Sequence, residues 1–340
     1  MNILDLTSEE LRTEMSRLGL EKYRADQVFK WISKGVTDLN QMGGVPAKVR
    51  EALEGDGMHA SLPRVVKSQT SQKDGTVKCL MEMADGVRVE TVFMKYKYGN
   101  SVCISSQAGC RMGCVFCASG MNGLERSLTA GEMYGQILAI ENETNEMISH
   151  VVIMGIGEPM DNYESLSAFL NILNDPRGKN LSMRNITVST SGLIPKIDRF
   201  GTDFPQVNLA ISLHAVTNEE RSDLMPVNKA YPLEDLLEAV RRYIDKTHRR
   251  VTFEYTLIRG VNDDEEHLRK LAVLLKGMLC HVNLIPLNEV KGKTYRPGRE
   301  HTAQTFRDEL EKHGIPATVR RELGSDIDAA CGQLRLNNKE

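Results

Sequence analysis

The 340-residue chain lacks any strong excess of one charge: 43 Lys and Arg stand against 46 Asp and Glu, a formal net charge of -3. That balance excludes a global basic field, so any contact with nucleic acid must come from local patches. Long apolar runs are also missing, and no stretch approaches the length that crosses a bilayer. The start, Met1-Asn-Ile-Leu-Asp-Leu-Thr-Ser-Glu-Glu, has neither the cationic beginning nor the apolar stretch of a signal peptide. Cysteine is scarce and odd in number, seven in all with three on one short loop, which argues against a secreted disulfide framework. There is no repeat and no low-complexity tract. A cytoplasmic protein in a reducing compartment, with no membrane partner, is expected. Its length suits one large core plus a smaller accessory domain.

The most telling shortage is a fourth cysteine. Cys110, Cys114 and Cys117 form the run Cys-Arg-Met-Gly-Cys-Val-Phe-Cys with no further cysteine nearby. A structural zinc site closes itself with four protein ligands, usually as two pairs. A cubane iron-sulfur cluster also wants four thiolates, and held by three it leaves one iron open to a substrate. This spacing resembles the signature of radical S-adenosylmethionine enzymes, whose open iron chelates the amino and carboxylate groups of the methionine. Zinc and unligated thiols are the competing readings of the cysteines alone.

Short helices are expected at the N-terminus. Thr7 with Glu10 fits a capping box, and Tyr23, Val28, Trp31 and Ile32 fall at near-helical spacing, with the aromatics read as core. Strands follow over 77–83 and 87–94, separated by Ala84-Asp85-Gly86, a hairpin signal. From residue 101 strand and helix patterns alternate. Strands are expected over 101–106, 150–154, 186–189, 207–213, 251–258 and 280–287. Helices are expected over 130–143, 164–173, 233–246, 265–276 and 302–313. Several of the strands are continuous apolar runs, as in a parallel sheet buried on both faces. The fold class is therefore α/β, a partial (β/α)6 barrel. The domains expected are a helical accessory domain (1–60), a β linker with the hairpin and Glu90 (61–95), the core barrel (96–322) and a C-terminal segment with Cys331 (323–340).

In such a barrel the strand ends share one face, where active sites are built. The three-cysteine loop follows the first strand, Gly155-Ile-Gly-Glu-Pro159 the second, and Asn288 the sixth; Ser189 ends the third and Ser212-Leu213-His214 the fourth. Gly155 and Gly157 allow close backbone approach, and Glu158-Pro159 fits an exposed edge beside an ammonium group. Ser189, Ser212 and Asn288 suit hydrogen bonds to a ribose and carboxylate, or strand-end capping. His214 reads as a satisfied buried histidine or as a site residue. Cys331, beside Gly332 on a polar Gly-bounded segment, suits a nucleophile or carrier rather than a core filler. Lys291-Gly-Lys-Thr-Tyr-Arg-Pro-Gly-Arg299 is the one local basic patch with an aromatic, a candidate RNA contact through Lys293, Arg296 and Arg299 or a solvated loop. The second basic run, Arg241 to Arg250, reads as the wet face and end of a helix.

Seven motifs make the resemblance specific: Arg88-Val-Glu-Thr-Val-Phe-Met94, Cys103-Ile-Ser-Ser-Gln-Ala-Gly-Cys110, Gly157-Glu-Pro159, Ser212-Leu-His214, Met225-Pro-Val-Asn228, Gly260-Val-Asn-Asp263 and Asp326-Ile-Asp-Ala-Ala-Cys-Gly-Gln333. Together, over nearly the whole chain, they resemble the RlmN/Cfr family of radical S-adenosylmethionine RNA methyltransferases. Pro159 stands where Cfr-type members typically carry alanine, so the chain is more similar to the carbon-2 branch than to the carbon-8 branch. Gly-Ile-Gly for Gly-Met-Gly, and Met160-Asp161 for leucines, are the small departures.

The resemblance implies one [4Fe-4S] cluster on Cys110, Cys114 and Cys117. It implies S-adenosyl-L-methionine bound by Gly157, Glu158, Ser189, Ser212, Leu213, His214 and Asn288, with two molecules used per turnover. The implied substrates are adenine 2503 of 23S rRNA and adenine 37 of tRNA, methylated at carbon 2. That carbon lies between two ring nitrogens and is electron-poor, so polar methyl transfer is closed and radical addition is needed. By resemblance Cys331 carries the methyl group, Glu90 removes the ring proton, and Cys103 releases the product by closing a disulfide with Cys331. A flavodoxin or ferredoxin would donate electrons to a monomeric enzyme. The rival classes are a Cfr-like carbon-8 methyltransferase, a radical enzyme acting on a peptide or metabolite, and a zinc-stabilised RNA-binding module.

Overall fold

The computed structural model describes residues 1–288, 294–298, 301–327 and 334–335. Three short helices open the chain: α1 (Ser8–Arg17), α2 (Arg24–Ile32) and α3 (Ala47–Gly55). The capping box forms as expected, with Thr7 accepting from the Glu10 amide and Glu10 reaching back to the Thr7 backbone. Val28, Phe29 and Ile32 are buried, but Tyr23 is 54 % exposed under the Arg24 guanidinium, so that aromatic is surface and not core.

The three strands β1 (Arg64–Thr70), β2 (Val77–Glu82) and β3 (Arg88–Tyr96) then form an antiparallel meander. β3 pairs antiparallel with β4 (Gly99–Cys103), so the hairpin is continuous with the main sheet. Two short strands, β5 (Gln107–Gly109) and β6 (Leu124–Ser127), pair with each other and pinch the base of the cysteine loop. Helix α4 (Ala130–Thr144), β7 (His150–Ile153), α5 (Tyr163–Asn174), β8 (Ile186–Thr190), α6 (Ile194–Asp203), β9 (Asn208–Ser212), α7 (Asn218–Leu224) and α8 (Leu233–Thr247) follow. The chain continues with β10 (Val251–Leu257), α9 (Glu265–Leu275), β11 (Cys280–Pro286), α10 (Thr302–Lys312) and β12 (Ala317–Val319).

Ten of the strands form one sheet in the order β1-β2-β3-β4-β7-β8-β9-β10-β11-β12, parallel from β4 onward. The six expected parallel strands are all present, and β12 adds a seventh. Residues from β3 near one edge and from the segment after β12 at the other line one cavity, so the sheet is curled into an open barrel. The gap between its edges is clasped by side chains. Ser71 Oγ and the Gln72 amide donate to Asp326 at 2.6 and 2.9 Å, and the Gly324 amide donates to Asp74 at 2.8 Å.

The helices take their places for ordinary reasons. In α8, Leu233, Leu236, Leu237, Val240 and Tyr243 recur at helical spacing and are buried, while Arg242 on the outer face pairs with Asp198 at 2.9 Å. The wet-face reading of that basic run holds. The N-terminal helices share one apolar core with the barrel, and Asp5 accepts from the Gly131 amide at the start of α4 at 2.7 Å. Among the described residues no helix is long and apolar enough to cross a membrane.

Candidate active site

The parallel strand ends open into a cavity of about 470 Å³. Of the residues singled out from sequence, Cys103, Cys117, Ser189, Ser212, His214 and Asn288 line it. Gly157, Glu158, Leu213, Glu90, Cys110 and Cys114 are not among the lining residues, and Cys331 lies outside the described residues. Lys293 and Arg299 of the basic loop also lie outside them. The described part of that loop folds back on the end of β10, where Arg296 O accepts from the Arg259 amide at 3.0 Å. Tyr295 packs with Met225, Ile258 and Leu287 beside the cysteine loop, so it is part of the apolar support rather than an open stacking surface.

The cysteine loop is built to wrap something. β5 and β6 fix its two ends, and Gly113 takes φ +69°, a turn only glycine adopts without strain. Val115 N donates to Leu224 O at 3.0 Å, and Cys114 and Phe116 pack against Leu224 and Met225. Met225-Pro-Val-Asn228 therefore serves as the backing of this loop. Burial pushes the Cys110 thiol up to about 12 and raises Cys114 further, with each thiol also opposed by its neighbours' charge. Ionised together, the thiols need a cationic group to hold them. Their charges couple. Three thiols on one loop are the donor set of a cube held at three corners, whereas a structural zinc site closes with four protein ligands.

The neighbouring strand ends form a cradle beside this loop. Gly157 has φ +110°, and a Cβ there would come within 2.6 Å of Gln107 Cβ, so a side chain is excluded. Glu158 corrects the sequence reading, because it is buried and not at an exposed edge. Its carboxylate accepts from the Ser191 amide at 2.7 Å and the Met160 amide at 3.0 Å, which ties the ends of β7 and β8 together. Burial pushes its carboxyl up from the ordinary carboxylate value, making it a weaker acid, and these donors oppose the shift.

His214 sits at φ +56° and is held by its surroundings. Its Nδ1 accepts from the Thr256 amide at 3.0 Å, which assigns the ring proton to Nε2. Burial, aided by Arg221, lowers its pKa to about 3, so the ring is a neutral donor toward the cavity. Phe116 of the cysteine loop meets it edge to face, with ring centroids 5.0 Å apart. Asn262 explains the Gly260-Val-Asn-Asp263 motif: fully buried, it donates to His214 O at 2.7 Å and Thr256 O at 2.8 Å.

Sequence reasoning missed Arg221. Its guanidinium is fully buried and donates to Ser191 O (2.7 Å), Asn228 Oδ1 (2.9 Å), Ser212 O (3.0 Å) and Leu213 O (3.3 Å), bracing two strand ends at once. Desolvation depresses its pKa to about 10. In sequence it is one arginine in the charged run Asn-Glu-Glu-Arg-Ser-Asp, which reads as a solvated helix. Glu254 was missed too. It is buried at the cavity wall, pushed up by burial, and bonded to Asn283 at 2.8 Å.

An open parallel barrel with three cysteines looped over its strand ends defines a radical S-adenosylmethionine enzyme, and residues 104–272 match the Radical SAM superfamily. Residues 1–56 match the ribosomal RNA large subunit methyltransferase N-terminal domain. The chain is 52 % identical to a probable dual-specificity RNA methyltransferase RlmN of Geobacillus kaustophilus, covering 100 % of this chain and 93 % of that one. It is 47 % identical to the protein so named in Clostridium novyi, covering 99 % and 98 %. A crystal structure of a radical SAM methyltransferase from Sphaerobacter thermophilus superposes with a TM-score of 0.93 at 43 % identity, covering 98 % of each chain. The chain belongs to the RlmN family of RNA methyltransferases.

Proposed function

We propose that the enzyme methylates carbon 2 of adenine, at position 2503 of 23S rRNA and position 37 of tRNA, with Cys331 as carrier of the carbon. Cys110, Cys114 and Cys117 would hold a [4Fe-4S] cluster; the strand-end cradle from Gly157 to Asn288 would hold S-adenosylmethionine. When bound, these groups supply the methyl group and one-electron chemistry that an electron-poor ring carbon requires.

The chain's own residues then divide the work. Cys331 presents its carbon to the ring as a covalent tether. Glu90 accepts the proton from carbon 2, and the Cys103 thiolate attacks the Cys331 sulfur: a disulfide forms, the bond from that sulfur to the tethered carbon breaks with its electron pair passing to the carbon, and the carbon takes up a proton to become the methyl group of the departing RNA. The observation that carries this reading is placement. Cys103 pairs with Val92 across β3 and β4 and lines the cavity, and Glu90, two residues before Val92, shares its face of β3. His214 Nε2, Ser189 and Ser212 supply neutral hydrogen-bond donors at the cradle.

RNA from cells lacking the enzyme, treated anaerobically with the reconstituted protein and digested, tests it. Mass spectrometry should find 2-methyladenosine by comparison with synthetic 2-methyl and 8-methyl standards. Finding 8-methyladenosine instead would assign the enzyme to the Cfr-like reaction, which Pro159 argues against. A small acidic electron carrier, flavodoxin or ferredoxin, and a monomeric state complete the proposal.

A further inference from the structure

Beside the proposed base lies a lysine with no evident reason to be indoors. Lys78 is 0 % exposed and its Nζ meets Glu90 Oε2 at 2.9 Å, with Glu90 itself 3 % exposed. Lys78 stands opposite Val92 and Glu90 opposite Leu80 in the β2–β3 pair, so the two charges are diagonal neighbours on one face. The opposite face of β3 packs on α4, where Thr91 donates to Gln136 Oε1 at 3.0 Å. The ion pair therefore belongs to the face that carries Val92 and Met94 to the cavity.

Burying an ammonium and a carboxylate is costly, and apolar residues of similar size hold a sheet together as well or better. The pair needs another explanation than stability. A carboxylate in a dry cavity without a counter-charge favours its protonated form and then cannot act as a base. The remaining groups on Glu90 are arranged asymmetrically. Its Oε1 accepts from the Arg335 amide at 2.6 Å, and the Arg335 guanidinium pairs with Glu125. Its carbonyl accepts from Ser105 Oγ at 2.7 Å, two residues past Cys103. One oxygen is thus held from within the sheet, the other by the C-terminal segment only four residues beyond Cys331.

We infer that Lys78 is a positioning residue for proton abstraction: it supplies the counter-charge and fixes Oε2, leaving Oε1 as the oxygen that exchanges the Arg335 amide for the proton of adenine carbon 2. The inference rests on the reading of Glu90 as the base. In the step, the bond between carbon 2 and hydrogen breaks and its electron pair stays with the ring. The proton goes to Oε1, the carboxylate becomes neutral, and Lys78 keeps its charge. Among the described residues, the titratable and charged groups at Glu90 include Lys78 from β2 and Arg335 with its partner Glu125, with Cys103 two residues along the neighbouring strand from Ser105, which donates to the Glu90 carbonyl.

The test uses anaerobically reconstituted enzyme with RNA, following 5′-deoxyadenosine, the protein–RNA adduct on denaturing gels, and methylated product against pH. Lys78→Met should form 5′-deoxyadenosine and adduct, resolve the adduct at least about tenfold more slowly, and need higher pH to do so, because the buried carboxylate has lost its counter-charge. Lys78→Arg should restore the pH profile, and Glu90→Gln should trap adduct at every pH. Wild-type resolution and an unchanged profile in Lys78→Met, with Glu90→Gln trapping, would overturn the role of Lys78 alone. Failure of Glu90→Gln to trap would overturn the base assignment itself. If Lys78→Met does not load iron and sulfide, Lys78→Gln, which keeps a hydrogen bond to Oε2, must show the same alkaline shift, and an unshifted profile there is equally fatal.

Discussion

Replacing Arg221 with methionine removes a group that ties the ends of β8 and β9 to the backing of the cysteine loop. Three of its hydrogen bonds are well formed, at 2.7, 2.9 and 3.0 Å to Ser191 O, Asn228 Oδ1 and Ser212 O; the fourth, to Leu213 O, is long at 3.3 Å. At about 1 to 1.5 kcal/mol net for each good bond, the loss is about 3 to 4.5 kcal/mol. Relief of the buried charge offsets part of this, while the orphaned carbonyls act the other way. Methionine fills a similar volume, so cavity formation adds little. For a protein of this size, whose unfolding entropy is about 0.7 kcal/mol per kelvin, the loss corresponds to a fall in Tm of roughly 5 °C. Thermal melting before and after anaerobic cluster reconstitution measures it. Because Ser212, Leu213 and His214 sit on the loosened strand end, the Kd for S-adenosylmethionine should also rise by about tenfold, equivalent to about 1.4 kcal/mol. Arg221→Lys, which keeps the charge but not the planar fork, should recover only part of both effects. A fall in Tm below about 3 °C with unchanged cofactor affinity would refute the bracing role.

Any one of Cys110→Ala, Cys114→Ala or Cys117→Ala should abolish cluster assembly and cofactor cleavage; near-normal iron, sulfide and 5′-deoxyadenosine in any of them would sink the cluster assignment. Cys103→Ala should accumulate a nuclease-sensitive protein–RNA adduct on denaturing gels that vanishes when Cys331 is also replaced, and trapping by both single variants or by neither would reverse the assignment of carrier and resolver. Against a modest burial penalty, the Gly324 and Thr76 donors hold the Asp74 carboxyl down to about 2. Its folded pKa lies below the unfolded value near 4, so its contribution is complete above about pH 4 and fades as the pH falls through about 2. The group is largely solvated, so Asp74→Asn should cost less than about 1 kcal/mol at neutral pH and flatten the acid limb of the melting curve; an unaltered acid limb would remove the clasp from the stability argument.

What was legible in the sequence follows from how locally each feature is specified. The six parallel strands are four to seven residues long between turn signals, several of them apolar runs, and burial on both faces imposes that pattern wherever the strand pairs. β12 is only Ala317–Val319 and β1 is an edge strand of mostly polar residues, so neither carries enough pattern to stand out; α6 has its buried Ile197 and Phe200 at helical spacing, but it opens on Ile194-Pro195, which reads as a break. The cysteine loop was legible because its spacing is its chemistry. Arg221 was not, because a charged residue in a polar run reads as solvated, nor was Lys78, because a lone lysine within a strand reads as a solvent-side residue; only the tertiary fold shows that each charge is enclosed. Glu158 shows the same effect in reverse: its place after Gly-x-Gly was visible, but its carboxylate accepts from the Ser191 backbone amide at a strand end 33 residues away. The residues hidden from sequence reading are thus those that hold the site's geometry, each joining segments distant in the chain. A buried charge with a specific partner is costly to keep, which makes Lys78 and Arg221, rather than further cavity-lining groups, the positions where conservative substitutions reveal most about how this enzyme works.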